Sequence, residues 1–272
     1  MDLSAYLTRI GYSDDVRPDL ATLRALHSAH LRAIPYENLD VQLGRPLTTS
    51  PEAAYRKIVE QGRGGWCYEM NGLFGWALTQ AGFQVTRLAA RGGEPASHLV
   101  LRVNLDEPWI ADVGYSDGPH APFRPVLGPF EDRGMAFEIA AFEGGFRLNN
   151  HRFGMSKFYE CGGPDEAAMA DRCLWLQTAP ESPFVLNAVL SRHTEAGYVT
   201  LVGRVLREIA PEGVVSTNLV ADAAEYVTTL KARFGLDVPE AADLWPRICA
   251  RHEVVMQERA AAKAAAAATA DA

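Results

Sequence analysis

The stretch Arg63-Gly64-Gly65-Trp66-Cys67-Tyr68-Glu69-Met70-Asn71 is the junction on which the reading of this chain turns. Two glycines give the backbone conformations closed to other residues, and beyond them Met70, Leu73, Phe74, Ala77, Leu78 and Ala81 recur at helical intervals. Cys67 is therefore expected at a helix N-terminus. Unpaired amides and the helix dipole favour negative charge there, so a thiol in that position gives up its proton more readily than in free solution. That is how a nucleophile is prepared. A buried structural thiol, behaving as a small hydrophobe, is the competing reading, and a partner histidine is needed to decide between them.

Upstream of the junction the chain reads as helical. Residues 2–10 form a short helix, and Asp19 caps a second in which Leu20, Leu23, Leu26, His27, His30 and Leu31 are spaced helically until Pro35 stops it. Ser50-Pro51-Glu52 supplies a capping hydroxyl and a proline at the first helical position, starting a helix that runs through Val59 to a stop at Gly62. His27 and His30 lie three apart on one side, as a metal pair would, but no carboxylate or cysteine follows at ligand spacing. Packing or solvation is the better account of them. Between these helices, Ile34-Pro35-Tyr36-Glu37-Asn38-Leu39-Asp40 is an irregular link whose Glu37 is either exposed or paired with a cation such as Arg63.

Downstream of Gly82 the period changes from helical to alternating. Residues 85–91, 98–105 and 109–115 read as strands, separated by Gly92-Gly93-Glu94-Pro95 and Asp106-Glu107-Pro108. Along the second, Leu99, Leu101, Val103 and Leu105 share one face, and His98, Val100, Arg102 and Asn104 the other, which places His98 on the more polar side. Further turn-rich strands at 123–125, 137–142, 144–146 and 153–159 point to an antiparallel barrel or a strongly curled sheet. Residues 173–177 and 183–190 read as a helical or irregular connector, 198–209 as one strand, and 221–234 and 241–258 as helices. A third, mixed unit thus closes the chain. The alanine-rich tail from Ala260 is low in complexity, either a helical extension or disordered, and no function attaches to it.

Counting residues then joins the two halves. His98 and Asp112 are each seven residues from Leu105, at the middle of the apparent hairpin. Folding there brings imidazole and carboxylate opposite one another on adjacent strands, at hydrogen-bonding distance or one register step from it. A carboxylate that accepts one ring N–H fixes the tautomer and leaves the other nitrogen to take a proton from a nucleophile. Cys67, His98 and Asp112 would then form an activated thiolate triad of the cysteine-protease kind. Taken singly, the histidine reads as a surface or hydrogen-bonded core residue and the aspartate as a turn residue; their joint placement carries the functional reading.

Composition bounds the rest. At 272 residues the chain exceeds one ordinary core, so two or three domains are expected. With 26 basic and 34 acidic residues its formal charge is −8, which argues against a nucleic-acid or anionic-membrane surface as its main business. Met1-Asp2-Leu3-Ser4 starts no signal peptide and no apolar run is long enough to span a bilayer, so a cytoplasmic protein is expected. The four cysteines, Cys67, Cys161, Cys173 and Cys249, are scattered without a Cys-x-x-Cys pair. Neither a zinc site nor a disulfide framework is expected from them.

These residues together resemble the arylamine N-acetyltransferases. The resemblance rests on Ile34-Pro35-Tyr36-Glu37-Asn38-Leu39, on the Arg63–Asn71 block, on Ser97-His98-Leu99 and on Asp112-Val113-Gly114-Tyr115, with weaker similarity through Pro183-Phe184 and the strand around Thr200-Leu201. It implies an α+β fold of three domains: a helical bundle over 1–84 with the nucleophile, an antiparallel β-barrel over 85–188 with the histidine and aspartate, and an α/β lid over 189–260, followed by the alanine-rich tail at 261–272. It implies Cys67, His98 and Asp112 as the catalytic triad and Glu37 with Arg63 as a structural ion pair nearby. The implied reaction is ping-pong acyl transfer from acetyl-CoA, a co-substrate and not a bound cofactor, to an arylamine, arylhydrazine or arylhydroxylamine through an acetyl-cysteine. An oxyanion donor is then needed, and the Cys67 amide is the available one. Where the family often has Phe and Gly after Asp-x-Gly, this chain has Tyr115-Ser116-Asp117, so acceptor preference can differ. Tyr115 is a candidate wall for the acceptor or a packing residue of the barrel rim, and Ser97 and Phe123 are candidate pocket residues. No P-loop glycine motif assigns the coenzyme A contacts. A thiol-dependent amide or thioester hydrolase using the same triad is the competing function, and an inactive binding module the third.

Overall fold

A computed structural model describes residues 1–91, 98–115, 117–142, 144–150, 155–160 and 166–270. The first helix begins one residue later than expected, with Asp2 as its cap, and the second at its expected cap. The Asp2 side chain accepts the Ser4 N–H at the start of α1 (Leu3–Ile10), and that of Asp19 accepts the Thr22 N–H at 2.8 Å to open α2 (Leu20–Ala33). A two-residue strand β1 (Tyr36–Glu37) and a single turn α3 (Leu39–Gln42) occupy the irregular link. Ser50 caps α4 (Pro51–Tyr55), which does not continue as a regular helix to Val59 but widens into a π turn over Arg56–Glu60. The widened turn carries Lys57 inward, where it is buried among carboxylates. Helix α5 (Cys67–Gln80) then starts at the cysteine.

Seven strands follow: β2 (Gln84–Arg91), β3 (His98–Asn104), β4 (Pro108–Ala111), β5 (Gly128–Asp132), β6 (Met135–Phe142), β7 (Gly145–Asn150) and β8 (Met155–Glu160). They pair antiparallel in the order β4-β3-β2-β8-β7-β6-β5. Among the described residues its end strands β4 and β5 share no ladder; a single bridge pairs Ile110 of β4 with Phe123, in the segment that leads to β5. Helices α6 (Glu166–Thr178) and α7 (Pro183–Leu186) lead to β9 (Val189–His193), β10 (Tyr198–Val202), β11 (Val205–Ala210) and β12 (Gly213–Leu219). These four join β1 in a second, five-stranded sheet in the order β1-β9-β10-β11-β12, so Tyr36 and Glu37 from the helical part supply its edge. Helix α8 (Ala223–Thr229) runs into a π turn over Leu230–Phe234, and a 3₁₀ segment over Pro239–Leu244 leads into α9 (Trp245–Ala270).

Several sequence expectations change here. The single strand expected over 198–209 is the hairpin β10–β11, because Gly203 adopts φ 57° and turns the chain. The last helix starts at Trp245 and not at Ala241, and it takes the tail with it as far as Ala270. The strand expected over 109–115 stops at Ala111. In the β3–β4 register Leu101 pairs with Ala111 and Asn104 with Pro108, which centres the hairpin on residue 106, not on Leu105. The turn expected at Gly92-Gly93-Glu94-Pro95, with Ser97, Ser116 and Cys161, lies outside the described residues.

Burial explains how the helical part meets the sheet. Leu99, Leu101 and Val103 project into the core around α5, while Val100 joins Leu88, Ile110, Tyr115 and Phe137 inside the seven-stranded sheet. The His98 face is the more polar of the two, since only Arg102 and Asn104 on it reach partial exposure, but at His98 itself β3 is covered on both sides. Contact with the helix is close, since a Cβ on Gly75 of α5 would sit 3.1 Å from Leu101 Cδ2. The third core gathers Leu190, Val199 and Leu201 of the five-stranded sheet against Tyr226, Leu230 and Phe234. Among the described residues no helix is long and apolar enough to cross a membrane.

Candidate active site

The loop that delivers Cys67 is made by close approach, not by unusual dihedrals. Neither Gly64 nor Gly65 has a positive φ, contrary to the expectation that these glycines serve backbone freedom. A Cβ on Gly64 would lie 2.2 Å from the Pro35 carbonyl oxygen, and one on Gly65 2.9 Å from Glu69 Cβ. The Gly65 N–H donates to the Pro35 carbonyl at 3.2 Å and the Glu37 N–H to that of Gly65 at 2.9 Å, zipping the loop to β1. Glu69 Oε2 reaches back to accept the Trp66 N–H at 3.2 Å, closing the helix start from its third position.

Beneath this loop lies a buried ionic cluster larger than the single pair expected. Arg63 Nη2 meets Glu37 Oε1 at 2.8 Å and Asp40 Oδ1 at 3.1 Å; Lys57 Nζ meets Glu69 Oε2 at 2.9 Å, Asp40 Oδ2 at 3.0 Å and Glu37 Oε1 at 3.7 Å. Three carboxylates thus share two buried cations, and the half-exposed Arg45 adds a third contact to Asp40 at 3.5 Å. Burial alone would depress the Lys57 ammonium, but Glu37, Glu69 and Asp40 outweigh it and hold its pKa above the usual lysine value. Asp40 is desolvated yet held below the usual carboxylate range by Lys57 and Arg63. Glu69 is the carboxylate left short of countercharge: burial overrides its contact with Lys57 and pushes it up to about 7.

Above the loop the three expected catalytic residues come together, all buried. His98 Nε2 and Asp112 Oδ2 are 2.7 Å apart, and the Cys67 thiol hydrogen-bonds the same imidazole. With Nε2 committed to the carboxylate, Nδ1 is the nitrogen left for the thiol. Burial works to depress the imidazolium, but the charge and hydrogen bond of Asp112, with Cys67 adding to them, raise the His98 pKa to about 9. The contact is diagonal across the hairpin, because the β3–β4 register places Asp112 level with Val100, one step beyond the last ladder pair.

Asp112 is itself firmly held. Asn71, one turn along α5 from Cys67, donates Nδ2 to Asp112 Oδ1 at 2.8 Å and to the Leu99 carbonyl at 2.6 Å, and accepts the Val113 N–H at 2.9 Å. The Gly114 N–H adds a bond to Asp112 Oδ1 at 3.1 Å. From behind, His27 Nε2 accepts the Asp112 N–H at 3.2 Å while its Nδ1 meets the His120 carbonyl at 2.8 Å. That pattern requires a neutral ring, and burial depresses the His27 pKa to about 4. His30 bonds Tyr6 instead, so the two helical histidines pack and brace. Among the described residues no group of His, Cys, Asp and Glu side chains is arranged to hold a metal ion.

The remaining candidates divide. The Tyr115 ring stands edge-on to His98 with centroids 6.3 Å apart. Phe123, in the same core as Tyr115, is stacked on Phe130 at 5.6 Å inside the sheet. Sequence reasoning missed Asn71, Lys57, Asp40, Glu69, His27 and Gly114. Two of these carry a readable signal: Asn71 is four residues from Cys67, hence on its helix face, and Glu69 occupies the third helical position, where a carboxylate caps.

A family model described as N-acetyltransferase matches residues 19–243. An arylamine N-acetyltransferase of Mycobacterium tuberculosis is 32% identical, over 88% of this chain and 91% of its own length. The pineal gland isozyme NAT-3 of Gallus gallus, also an arylamine N-acetyltransferase, is 31% identical over 87% and 94%. Among solved structures, the Mycobacterium marinum arylamine N-acetyltransferase in complex with CoA superposes with a TM-score of 0.83 at 31% identity, covering 92% of this chain and 98% of that one.

Proposed function

The chain belongs to the arylamine N-acetyltransferase family, which N-acetylates arylamines at the expense of acetyl-CoA, and on that premise we propose that Cys67 is its acetyl carrier, His98 its proton-transfer group and Asp112 the residue that orients His98. The observation that carries this reading is the buried run of contacts from the Cys67 thiol through His98 to Asp112. Because the His98 pKa is raised to about 9, the ring is an imidazolium at neutral pH, the natural countercharge for a thiolate.

Acyl transfer then proceeds in two halves. The Cys67 sulfur attacks the thioester carbonyl of acetyl-CoA, the carbon–sulfur bond to coenzyme A breaks, and His98 protonates the departing thiolate. An arylamine or arylhydrazine nitrogen next attacks the acetyl-Cys67 carbonyl, His98 takes the nitrogen's proton, and the Cys67 thiolate leaves. The amide of Cys67, at the first position of α5, is suited to stabilise the oxyanion of both tetrahedral intermediates. Burial of all three residues supports exclusion of water, which would otherwise discharge the thioester. Tyr115, edge-on to His98, is the aromatic wall for the acceptor, while Ser97 and Phe123 are assigned to the pocket lining on the family resemblance.

The same proposal divides the chain into a helical unit over 1–84, a barrel-like unit over 85–188 and a lid over 189–260, acting in the cytoplasm. Three cores, around α5, inside the seven-stranded sheet and between the five-stranded sheet and α8, support three units, although α6 buries Met169, Cys173 and Leu176 in the α5 core and Tyr198 and Ile209 join the core of the seven-stranded sheet. Glu37 and Arg63 hold the nucleophile loop as part of the ionic cluster.

The test is intact-protein mass spectrometry after incubation with acetyl-CoA and no amine. One acetyl group should appear, map to Cys67, persist until an arylamine is added, and be absent in Cys67→Ala. Rapid hydrolysis of acetyl-CoA with no dependence on amine would sink the transferase reading and leave a thiol hydrolase.

A further inference from the structure

A second recess, sharing no lining residue with the Cys67, His98 and Asp112 constellation, opens between α9 and the β11–β12 hairpin. Its volume is about 310 Å³. On the helix side it is faced by Ile248, Arg251, His252, Val255, Met256 and Arg259, whose spacing of three and four defines one stripe of α9. On the sheet side Val205 and Arg207 share a face of β11, and their cross-strand partners Leu219 and Thr217 share that of β12.

Two features of this recess point to a ligand. Leu186, Val202, Leu219 and Met256 are large apolar side chains that stay more than a third exposed, and all four converge here. Around them stand four guanidinium groups, in a chain whose formal charge is −8. Arg247 is committed to the Gln42 side chain at 2.7 Å, and Arg251 to Asn187 at 3.3 Å and the exposed Glu258 at 3.5 Å. The guanidinium groups of Arg207 and Arg259 make no hydrogen bond or ion pair among the described residues, so two cations remain for an anion.

We propose that the recess between α9 and β11–β12 binds an amphipathic organic anion, with its apolar body against Val202, Leu219 and Met256 and its head group between Arg207 and Arg259. The shared chemistry is a short chain or single ring carrying one carboxylate or phosphate. Apolar walls with a few placed polar groups are the usual composition of small-molecule sites, and a cavity of this size lies at the small end of their range. Guanidinium is suited to either head because its paired N–H donors match two oxygens at once. This inference does not depend on the acetyl-transfer reading.

Isothermal titration calorimetry at fixed ionic strength tests it with sodium octanoate, octyl phosphate and the uncharged octan-1-ol. Octanoate or octyl phosphate should bind one per chain, the tighter of the two identifying the head group, and octan-1-ol at least tenfold more weakly. The double variant Arg207→Gln/Arg259→Gln should weaken the anions at least tenfold and leave octan-1-ol unchanged; neither arginine has a partner to lose, so the fold is kept. Filling the recess with Val255→Trp should abolish binding of all three. Unaltered octanoate binding in the double variant overturns the proposal. So does competitive displacement of octanoate by coenzyme A, which would make the recess part of the acetyl donor's cleft.

Discussion

His98 Nε2 stands 2.7 Å from Asp112 Oδ2, and the other oxygen of that carboxylate is fixed by Asn71 and Gly114, so Asp112 cannot turn away from the ring. Orientation and charge therefore reach His98 through one contact. Asp112→Asn keeps the shape and removes the charge. Burial then governs the imidazole, whose pKa falls, and the ring no longer balances a thiolate at Cys67. Acetylation by acetyl-CoA should slow roughly 10³- to 10⁴-fold, by analogy with other triads that lose their carboxylate. Alkylation of Cys67 by iodoacetamide near neutral pH should slow with it. Undiminished alkylation in a folded Asp112→Asn protein would show that the carboxylate does not act through His98.

The same pair makes stability depend on pH. The native His98 pKa is about 9 against 6.5 for an unperturbed histidine, so folding retains a proton that the unfolded chain releases. The stabilisation is fully present below the unfolded value and is lost as pH rises through the native one, amounting to about 3 kcal/mol. Other groups titrate in that interval, so the quantity to measure is the difference in urea unfolding free energy between the wild type and His98→Gln. It should shrink from about pH 6 to about pH 10. A level difference contradicts the raised pKa.

A separate linkage comes from the cluster under the loop. Glu69 is raised from 4.5 to about 7, chiefly because it is buried and shares Lys57 with Asp40 and Glu37. Its retained proton stabilises the native state below the unfolded value, and that stabilisation disappears as pH climbs through about 7. Glu69→Gln keeps an acceptor for the Trp66 N–H without a charge to lose. The variant should therefore show a flatter dependence of unfolding free energy on pH between about 4.5 and 7, with the curves differing by up to about 3 kcal/mol across that span. Identical slopes would place the shared proton on another group.

How far these features could be read in advance follows from their range along the chain. Helix caps at Asp2, Asp19 and Ser50 are local chemistry and fell where the residues put them. His98 and Asp112 sit on one hairpin, so a count along the chain found them, although centring on Leu105 in place of residue 106 made a diagonal contact look direct. Lys57 was illegible because a regular helix was expected where a π turn redirects it, and His27 because its bond to the Asp112 N–H joins residues far apart in sequence. The burial of His98 was hidden for a related reason. Arg102 and Asn104 colour its face of β3 polar, but at His98 the strand is already covered on both sides. The recess beside α9 involves residues from α3 to the last helix, and no spacing rule joins them.

Gly114 offers the sharpest mechanical test of how the nucleophile is seated. A Cβ there would lie 2.7 Å from Cys67 Cα, 3.0 Å from Cys67 Cβ and 2.7 Å from Asn71 Nδ2. Cys67 Cα is backbone and cannot rotate aside, so in Gly114→Ala either the start of α5 or the turn that carries Asp112 must retreat. Overpacking of this kind costs about 1–3 kcal/mol of stability. Displacing a reacting group by about 1 Å can cost roughly 100-fold in rate, so kcat/KM for acetyl transfer should fall by about that factor. Gly72→Ala is the matched control: it lies in the same helix, its nearest neighbour is the Thr49 carbonyl oxygen at 3.9 Å, and a helical alanine is favoured over glycine by about 0.5–1 kcal/mol. That variant should keep its activity and gain stability. Equal activity in the two alanine variants would mean that Cys67 tolerates displacement, and that the contact with Gly114 does not set its reach toward His98.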